Sequence, residues 1–222
     1  MARFTKITQG VYMLSNAVVN QYLVEGEDGL TLIDTGLLGN FWAVDAALAR
    51  MGRVPSELER ILITHADADH YGATMEIATV SGATVYASPV DAEAIRAGRS
   101  SRELKPQGIE ALFYRLVAPM FRTGPVQVDE TLNPGDIIAG LKVIASPGHT
   151  PGHISFYLPE KKVLFAGDSI RIVRGKPLPS TGGNTWDRDL ALHSFRAQMQ
   201  LRPDLEHLCC GHGYLPLTGE EY

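Results

Sequence analysis

Residues 60–70 read Arg60-Ile-Leu-Ile-Thr64-His65-Ala-Asp67-Ala-Asp69-His70, an apolar run that ends in two histidines and two aspartates. The short, β-branched run Arg60–Thr64 predicts a buried strand. Imidazole and carboxylate groups follow it directly, and these are the usual ligands of zinc and related divalent cations. Because a sheet fixes the end of its strand, a tight loop there can direct several side chains toward one point. The sequence therefore predicts a metal site at the end of this strand.

Three further donors occur in one shared setting, an apolar strand followed by a glycine-containing turn. They are His149 in Ser146-Pro147-Gly148-His149, Asp168 in Gly167-Asp168-Ser169, and His212 in Gly211-His212-Gly213. Taken singly, each is better explained as a turn or capping residue. The repeated setting favours a cluster, because glycine allows close approach of the backbone. Two cations about 3.5–4 Å apart can activate one water, so we predict a dinuclear centre. Its ligands would be His65, Asp67, Asp69, His70, His149, Asp168 and His212.

The order of the predicted elements indicates the fold class. Strands at Val11–Leu14, Gln21–Val24 and Leu30–Asp34 precede a helix at Phe41–Met51, and strands at Gly140–Ala145, Ile154–Leu158 and Val163–Ala166 precede a helix from about Asp189 to Leu201. Strands and then a helix, twice over, predict an α/β protein: an αβ/βα four-layer sandwich of two mixed sheets with outer helices. A chain of 222 residues suits a single domain spanning 1–222.

The segment 98–125 differs from the rest of the chain and is predicted to be a helical, lid-like insertion. Its apolar residues fall at helical spacing: Ile109, Leu112, Phe113, Leu116, Val117 and Met120. Two uses stay open, a lid or the contact surface of a homodimer.

Basic residues concentrate between Arg96 and Arg122, and again at Arg171–Lys176. Most are expected to be surface charges, but a basic excess beside an apolar stripe suits a small anionic substrate with an apolar part. The candidate substrate contacts are Tyr71, Arg171, Asn184 and Trp186.

Composition narrows the class of partner. A formal net charge of −5 disfavours a nucleic-acid partner. No stretch approaches the roughly 18–20 apolar residues of a membrane span, and the start of the chain has no signal-peptide pattern. The adjacent Cys209 and Cys210 are expected to be free thiols, as in a reducing cytosol. We therefore expect a soluble, cytoplasmic protein without a membrane partner.

The order of the donors resembles the metallo-β-lactamase superfamily, whose pattern is HxHxDH, a single His, a single Asp and a last His. The match runs from about Gly10 to Gly213 and includes Leu32-Ile33-Asp34-Thr35-Gly36, Gly148–His153 and Phe165–Asp168. The resemblance implies the metallo-β-lactamase fold, with one metal site from His65, residue 67 and His149. It implies a second site from Asp69, His70 and His212, with Asp168 between the two. It also implies that Asp69 orients the attacking hydroxide as the catalytic carboxylate.

Residue 67 departs from the superfamily pattern, because this chain has Asp67 where the family usually has His. A carboxylate adds negative charge and favours harder ions. The flavodiiron members carry a carboxylate at this position and bind iron. We expect two divalent cations, zinc in the first instance, with iron or manganese as alternatives because of Asp67, and loss of the first cation as the other outcome.

These observations predict a metallo-hydrolase that uses a metal-activated hydroxide on an ester, lactone, thioester or related acyl substrate. A thioesterase of the hydroxyacylglutathione type is less expected, because the C-terminal helical domain that binds glutathione is missing. The alternatives are an iron-dependent oxidoreductase of the same fold, and hydrolysis of the phosphodiesterase or β-lactamase type. A non-catalytic binding protein is the third alternative.

Overall fold

The computed structural model describes residues 2–102 and 123–217, and its strands form two sheets and one hairpin. The first sheet has seven strands in chain order: β1 (Arg3–Thr8), β2 (Val11–Ser15), β3 (Asn20–Gly26), β4 (Gly29–Ile33), β5 (Leu58–Leu62), β6 (Thr84–Ala87) and β7 (Glu130–Thr131). Strands β1–β4 form an antiparallel meander, and β4–β7 are parallel. The parallel half points the ends of β4 and β5 in the same direction, toward the predicted metal site.

The second sheet has the order β15-β14-β11-β10-β9-β8. Its strands are β8 (Ile137–Ile138), β9 (Leu141–Ala145), β10 (Ile154–Leu158), β11 (Val163–Gly167), β14 (His207–Cys210) and β15 (Gly213–Pro216). Only the pair β11 and β14 is parallel within this sheet, so both sheets are mixed. A separate hairpin, β12 (Ile170–Val173) and β13 (Lys176–Pro179), follows β11.

The helices are α1 (Phe41–Arg50), α2 (Ala68–Tyr71), α3 (Thr74–Ser81), α4 (Pro89–Arg96) and α5 (Arg188–Met199), with single 3₁₀ turns at Pro55–Glu57, Pro159–Lys161 and Arg202–Asp204. The starts of α4 and α5 are fixed by side-chain caps. Ser88 accepts a hydrogen bond from the backbone N–H of Asp91, and Asp187 accepts one from Leu190. Such caps satisfy backbone donors that have no partner inside the helix.

Alternation along the strands distributes apolar residues among three cores. In β3, Leu23 packs with Leu48 of α1 on the outer face, whereas Tyr22 packs with Phe165 between the two sheets. On the outer face of the second sheet, Leu164 and Leu208 pack with residues of α5 such as Phe195. Helix, sheet, sheet and helix are therefore stacked in that order, and the predicted αβ/βα four-layer sandwich is confirmed.

The two ends of the predicted insertion lie against each other. An ideal Cβ on Gly98 would approach the backbone N of Pro125 to 2.9 Å, and the backbone N–H of Val126 donates to Ile95 O. The predicted helix with its apolar stripe falls within residues 103–122, which lie outside the described residues. Among the described residues, no helix is long and apolar enough to cross a membrane.

Candidate metal centre

The predicted ligands follow the ends of four strands at one edge of the sandwich. His65 lies shortly after β5, His149 between β9 and β10, Asp168 directly after β11, and His212 shortly after β14. Six of the seven predicted ligands form two groups of three, in each of which one donor atom per residue lies within 4.8 Å of the others, and Asp67 is in neither group. The first group is His65, His149 and Asp168, and the second group is Asp69, His70 and His212.

Asp168 lies between the two groups. Its Oδ1 is 3.3 Å from His70 Nε2, and its Oδ2 is 3.6 Å from His149 Nε2 and 3.1 Å from His212 Nε2. One carboxylate thus faces imidazole nitrogens of both groups. Asp168 therefore contacts both groups, although it is itself a member of the first.

Several inward-facing donor atoms are buried and have no hydrogen-bond partner in the part of the chain that the structure describes. They include His65 Nε2, His70 Nε2 and Asp168 Oδ1. Buried polar atoms are almost always paired, and an unpaired one costs roughly 1–3 kcal/mol. Imidazole nitrogens and carboxylate oxygens that converge without partners fit divalent cations, which would satisfy all three atoms.

The outward nitrogens of His70 and His212 fix which ring nitrogen faces the centre. His70 Nδ1 lies 2.7 Å from Asp34 Oδ2, and His212 Nδ1 lies 2.6 Å from the backbone O of Val18. Both partners are acceptors only, so each Nδ1 carries the proton and donates. The lone pair is left on Nε2, which is the nitrogen that faces the other ligands.

Asp34 organises a second ligand through Thr64. The Thr64 hydroxyl donates to Asp34 Oδ2 at 2.8 Å, and its oxygen lies 2.9 Å from His65 Nδ1. The backbone N–H of Thr64 also donates to Asp34 Oδ1 at 2.8 Å. Asp34 adopts a left-handed backbone with φ 56°, which aspartate tolerates better than most residues. One buried carboxylate thus orients His70 directly and His65 through a hydroxyl.

His153 supports the backbone of Asp168 and does not join either group. Its Nε2 accepts a hydrogen bond from the backbone N–H of Asp168 at 3.0 Å, and its Nδ1 lies 2.7 Å from Ser146 Oγ. Burial, together with the nearby His65 and His149, lowers the pKa of His153 well below its usual value. The ring is therefore neutral, as an acceptor at Nε2 must be.

Asp91 was not singled out from the sequence, yet it ties two ligand loops together. Its Oδ2 accepts from the backbone N–H of Ala66 at 3.0 Å and from Thr150 Oγ1 at 2.9 Å, next to His65 and His149. The residue is fully buried on α4. An acidic residue in a first helical turn normally reflects the helix dipole, so the sequence offered no distinctive signal.

Gly211 allows the last strand to approach the centre closely. An ideal Cβ at this position would collide with Asp168 Oδ1 and would lie 2.6 Å from His70 Cε1. The backbone is held on both sides, because its N–H donates to Gly167 O and its own oxygen accepts from Asn20 N, each at 2.8 Å. A side chain therefore cannot be accommodated by a local shift.

Asp67 faces the first group but is also paired with a positively charged side chain of the protein, Arg102. Its Oδ2 lies 3.1 Å from His149 Nε2 and 3.5 Å from His65 Nε2. Arg102 donates to Oδ1 at 2.7 Å and to Oδ2 at 2.5 Å, and Ser100 Oγ donates to Oδ1 at 3.0 Å. Most basic residues of this region were expected to be surface charges, and Arg102 is an exception, because its side chain is 5% exposed.

The charges of the centre stabilise one another. Burial alone would lower the pKa of His70, but the carboxylates of Asp168, Asp34 and Asp69 raise it well above the usual value. Burial alone would raise the pKa of Asp168, but the charges of His70 and His212 and their hydrogen bonds hold it well below its usual range. Proton and cation therefore compete for the same nitrogens.

The structure places the four candidate substrate contacts in different surroundings. Tyr71 is fully buried in the core beneath the first sheet, where its hydroxyl contacts Thr123. Arg171 and Asn184 are exposed on β12 and on the loop after β13. Trp186 is exposed and close to the centre, because its backbone N–H donates to His149 O at 3.1 Å. Tyr71 therefore packs in the core rather than lining an open site.

A cleft of about 410 Å³ opens beside His212, and the sequence did not indicate it. Its lining comes from residues 15–20 between β2 and β3, with Met13, Gly211, His212, Gly213 and Tyr214. The His212 side chain is 37% exposed, against 13% for Asp69 and 0% for His70, so it is the most accessible ligand of the second group. We call this feature the His212 cleft.

A four-layer αβ/βα sandwich with two His/Asp groups at its edge defines a class of metal-dependent hydrolase. The sequence pattern of the metallo-beta-lactamase superfamily matches residues 15–212, and the chain belongs to that superfamily. The predicted family, fold and enzyme class are thereby confirmed.

Two Bacillus subtilis (strain 168) proteins are similar along most of their length. YobT is 32% identical over 206 residues, which cover 88% of this chain and 83% of YobT. The probable metallo-hydrolase YflN is 27% identical, with 96% of this chain and 87% of YflN covered. Hydroxyacylglutathione hydrolase of Rhodobacter capsulatus is 30% identical over 73% of this chain, which spans about half (51%) of that enzyme.

Solved structures agree with the fold. The metallo-beta-lactamase family protein TTHA1429 from Thermus thermophilus superposes with a TM-score of 0.71 at 26% identity, covering 95% of this chain and 76% of that protein. TTHA1623, solved in a di-iron-bound form, gives a TM-score of 0.68 at 28% identity, with 91% and 92% covered.

Proposed function

We propose that this protein hydrolyses an ester, lactone, thioester or related acyl compound with the help of two divalent cations. The proposal is carried by buried donor atoms of His65, His70 and Asp168 that have no hydrogen-bond partner among the described residues. When bound, the two cations would supply Lewis acidity toward the substrate oxygen and would lower the pKa of a water molecule. Zinc is the first candidate, and iron or manganese are the alternatives.

The two groups divide the binding of the cations between them. His65, His149 and Asp168 would hold the first cation, with Asp67 facing it. The second group would hold the other, with Asp168 shared. Asp34 and Val18 keep the protons of His70 and His212 on the outer nitrogens, so that both rings present a lone pair inward.

We assign to Asp69 the role of orienting the attacking water. Its Oδ2 lies 3.5 Å from His212 Nε2 and 3.9 Å from His70 Nε2, so one oxygen belongs to the second group. A carboxylate has further acceptor capacity, which can hold the proton of a water and aim its oxygen at a carbonyl carbon. Asp69 is therefore the proposed catalytic carboxylate.

The His212 cleft is the proposed site for the apolar part of the substrate. It joins the second group through His212 and contains the apolar side chains of Met13, Val18 and Val19. A partly apolar cleft with a few polar groups is typical of small-molecule sites. Trp186 lies next to the first group, because its backbone N–H donates to His149 O.

The decisive experiment combines metal analysis with kinetics on a panel of esters, lactones, thioesters and phosphodiesters. We expect about two equivalents of metal, chelator-sensitive turnover of an acyl substrate, and a decrease of about a hundredfold or more in kcat for Asp69→Ala. The matched control is Asp28→Ala in the β3–β4 turn, where the side chain is 77% exposed. Unchanged hydrolysis by Asp69→Ala would contradict the mechanism, and oxygen-dependent turnover of an iron form would favour the oxidoreductase.

A further inference from the structure

We propose that Arg102 is an internal counter-ion that competes with the first cation for the charge of Asp67 and thereby weakens metal binding at the first group. The inference rests on the proposed function, because it assumes that the first group binds a cation. It assigns a metal-tuning role to a residue outside the seven predicted ligands.

The contact between the two side chains is a bidentate ion pair. Both terminal nitrogens of Arg102 donate to the two oxygens of Asp67, and Ser100 adds a third donor on Oδ1. Paired guanidinium and carboxylate groups in this arrangement are among the strongest charge-assisted contacts in proteins. Asp67 is therefore already neutralised by the protein.

One oxygen of Asp67 contacts both Arg102 and the imidazoles of the first group. Asp67 Oδ2 accepts from Arg102 at 2.5 Å and also faces His149 Nε2 at 3.1 Å and His65 Nε2 at 3.5 Å. His65 Nε2 is buried and has no hydrogen-bond partner among the described residues. A cation held by these two imidazoles would therefore meet a carboxylate oxygen whose charge is shared with a guanidinium.

Burial makes the competition strong. The side chains of Arg102 and Asp67 are 5% and 13% exposed, so water screens their charges poorly. Outer contacts to metal ligands typically change metal affinity by about 10–100-fold. An anionic outer partner strengthens its ligand, whereas a cationic one withdraws charge from the carboxylate and repels the cation. The sign for Arg102 is thus opposite to that for Asp34.

The test measures zinc affinity by chelator competition for the wild type, Arg102→Met and Arg102→Lys. We expect Arg102→Met to bind the first zinc about tenfold more tightly and Arg102→Lys to stay within about threefold of the wild type. Arg99→Met is the matched control, because Arg99 is exposed and its guanidinium donates to the backbone of Ser100. Its affinity should not change.

Thermal unfolding distinguishes competition from a purely structural role. Without Arg102 the metal-free protein carries a buried carboxylate that has lost its counter-ion, so its Tm should fall, and zinc should restore it. The increase in Tm on adding zinc should therefore be larger for Arg102→Met than for the wild type. If Arg102 had only a structural role, its replacement would lower the Tm of the metal-free protein and of the zinc-bound protein equally. Arg102→Gln, which keeps a donor without the charge, replaces Arg102→Met if the latter does not fold.

Two results would overturn the inference while leaving the proposed function intact: weaker zinc binding by the folded Arg102→Met or Arg102→Gln variant, or an unchanged affinity. Absence of zinc, iron and manganese binding by the wild type would instead defeat the proposed function. Tighter binding of the first zinc, confined to variants that lack the positive charge, would support the inference.

Discussion

Asp34→Asn tests whether a buried carboxylate determines which nitrogen of His70 faces the cations. The substitution keeps the size of the side chain but replaces one acceptor oxygen with an NH₂ donor. The remaining oxygen can still accept from Thr64, whose backbone N–H lies 2.8 Å from Asp34 Oδ1. The new amide nitrogen then faces His70 Nδ1, 2.7 Å from the present Oδ2. Two donors cannot face each other, so Nδ1 must give up its proton.

The magnitude follows from these contacts. When Nδ1 accepts from the amide, the proton of a neutral His70 ring moves to Nε2, which then has no lone pair for a cation. We expect the second cation to bind about 10–100-fold more weakly, equal to about 1.4–2.7 kcal/mol. The metal-free protein should also lose about 2–4 kcal/mol of unfolding free energy, because charge-assisted hydrogen bonds to His70 and Thr64 are removed from a buried site.

The assay is zinc titration against a chelator, combined with ¹⁵N NMR of the imidazole rings to identify the protonated nitrogen. Asp91→Asn is the matched control, because Asp91 is also a buried carboxylate beside the ligand loops. Its hydrogen bonds from Ala66 and Thr150 both go to Oδ2, so one amide oxygen can keep them. We expect Asp91→Asn to retain wild-type zinc affinity.

The reasoning is refuted if Asp34→Asn binds two zinc ions as tightly as the wild type. It is also refuted if the affinity falls while the NMR spectrum still places the proton of His70 on Nδ1. A loss of affinity that Asp91→Asn shares to the same extent would point to general disturbance of the ligand loops.

Three further predictions concern the glycine turn, pH and residue 67. Gly211→Ala should lose the second cation, seen as a fall from about two metal equivalents to about one. Gly124→Ala should keep both, because a Cβ there meets no atom of the described residues within 4 Å. The pKa of His70 is raised in the folded metal-free protein, so its stabilisation is present below the unfolded pKa of about 6.5 and is lost as the pH rises through the folded pKa. Thermal unfolding with chelator should therefore give a Tm that decreases as the pH rises above about 6.5. A Tm that does not change with pH would contradict the raised pKa of His70. Asp67→His should cost the metal-free protein about 3–5 kcal/mol in denaturant unfolding, because Arg102 loses the carboxylate that neutralises it, and an unchanged midpoint would show that the ion pair contributes little.

Regular patterns in the sequence predicted the parts of the fold that are held by burial. Strands β3 and β4 alternate between two cores, and the stretch Gln21–Val24 already has the required apolar character. Strand β1, by contrast, is polar and partly exposed, so periodicity did not indicate it. The strands of the hairpin β12–β13 contain two prolines and four exposed positions, and their pairing is local to the hairpin. Such segments are fixed by their neighbours and carry little signal of their own.

In the candidate site, too, some features could be predicted from the sequence and others could not. His149, Asp168 and His212 could be grouped from the sequence because each follows a strand and a glycine turn, and the structure brings them together. The partnership of Asp67 and Arg102 spans 35 residues and depends on where the chain returns after α4. Composition described Arg102 only as one charge among many. Long-range pairing of charged side chains therefore requires the fold, whereas strand-end ligands do not.

The contact between Gly98 and Pro125 brings the two ends of the intervening stretch, residues 99–124, together. Because Gly98 and Pro125 lie against each other, the length of the stretch between them can change without altering the register of β6 and β7. Arg102 belongs to this stretch, near its first end, and contacts Asp67 of the metal centre. Replacing the stretch would therefore remove Arg102 with it and would also change the charge with which Asp67 meets a cation.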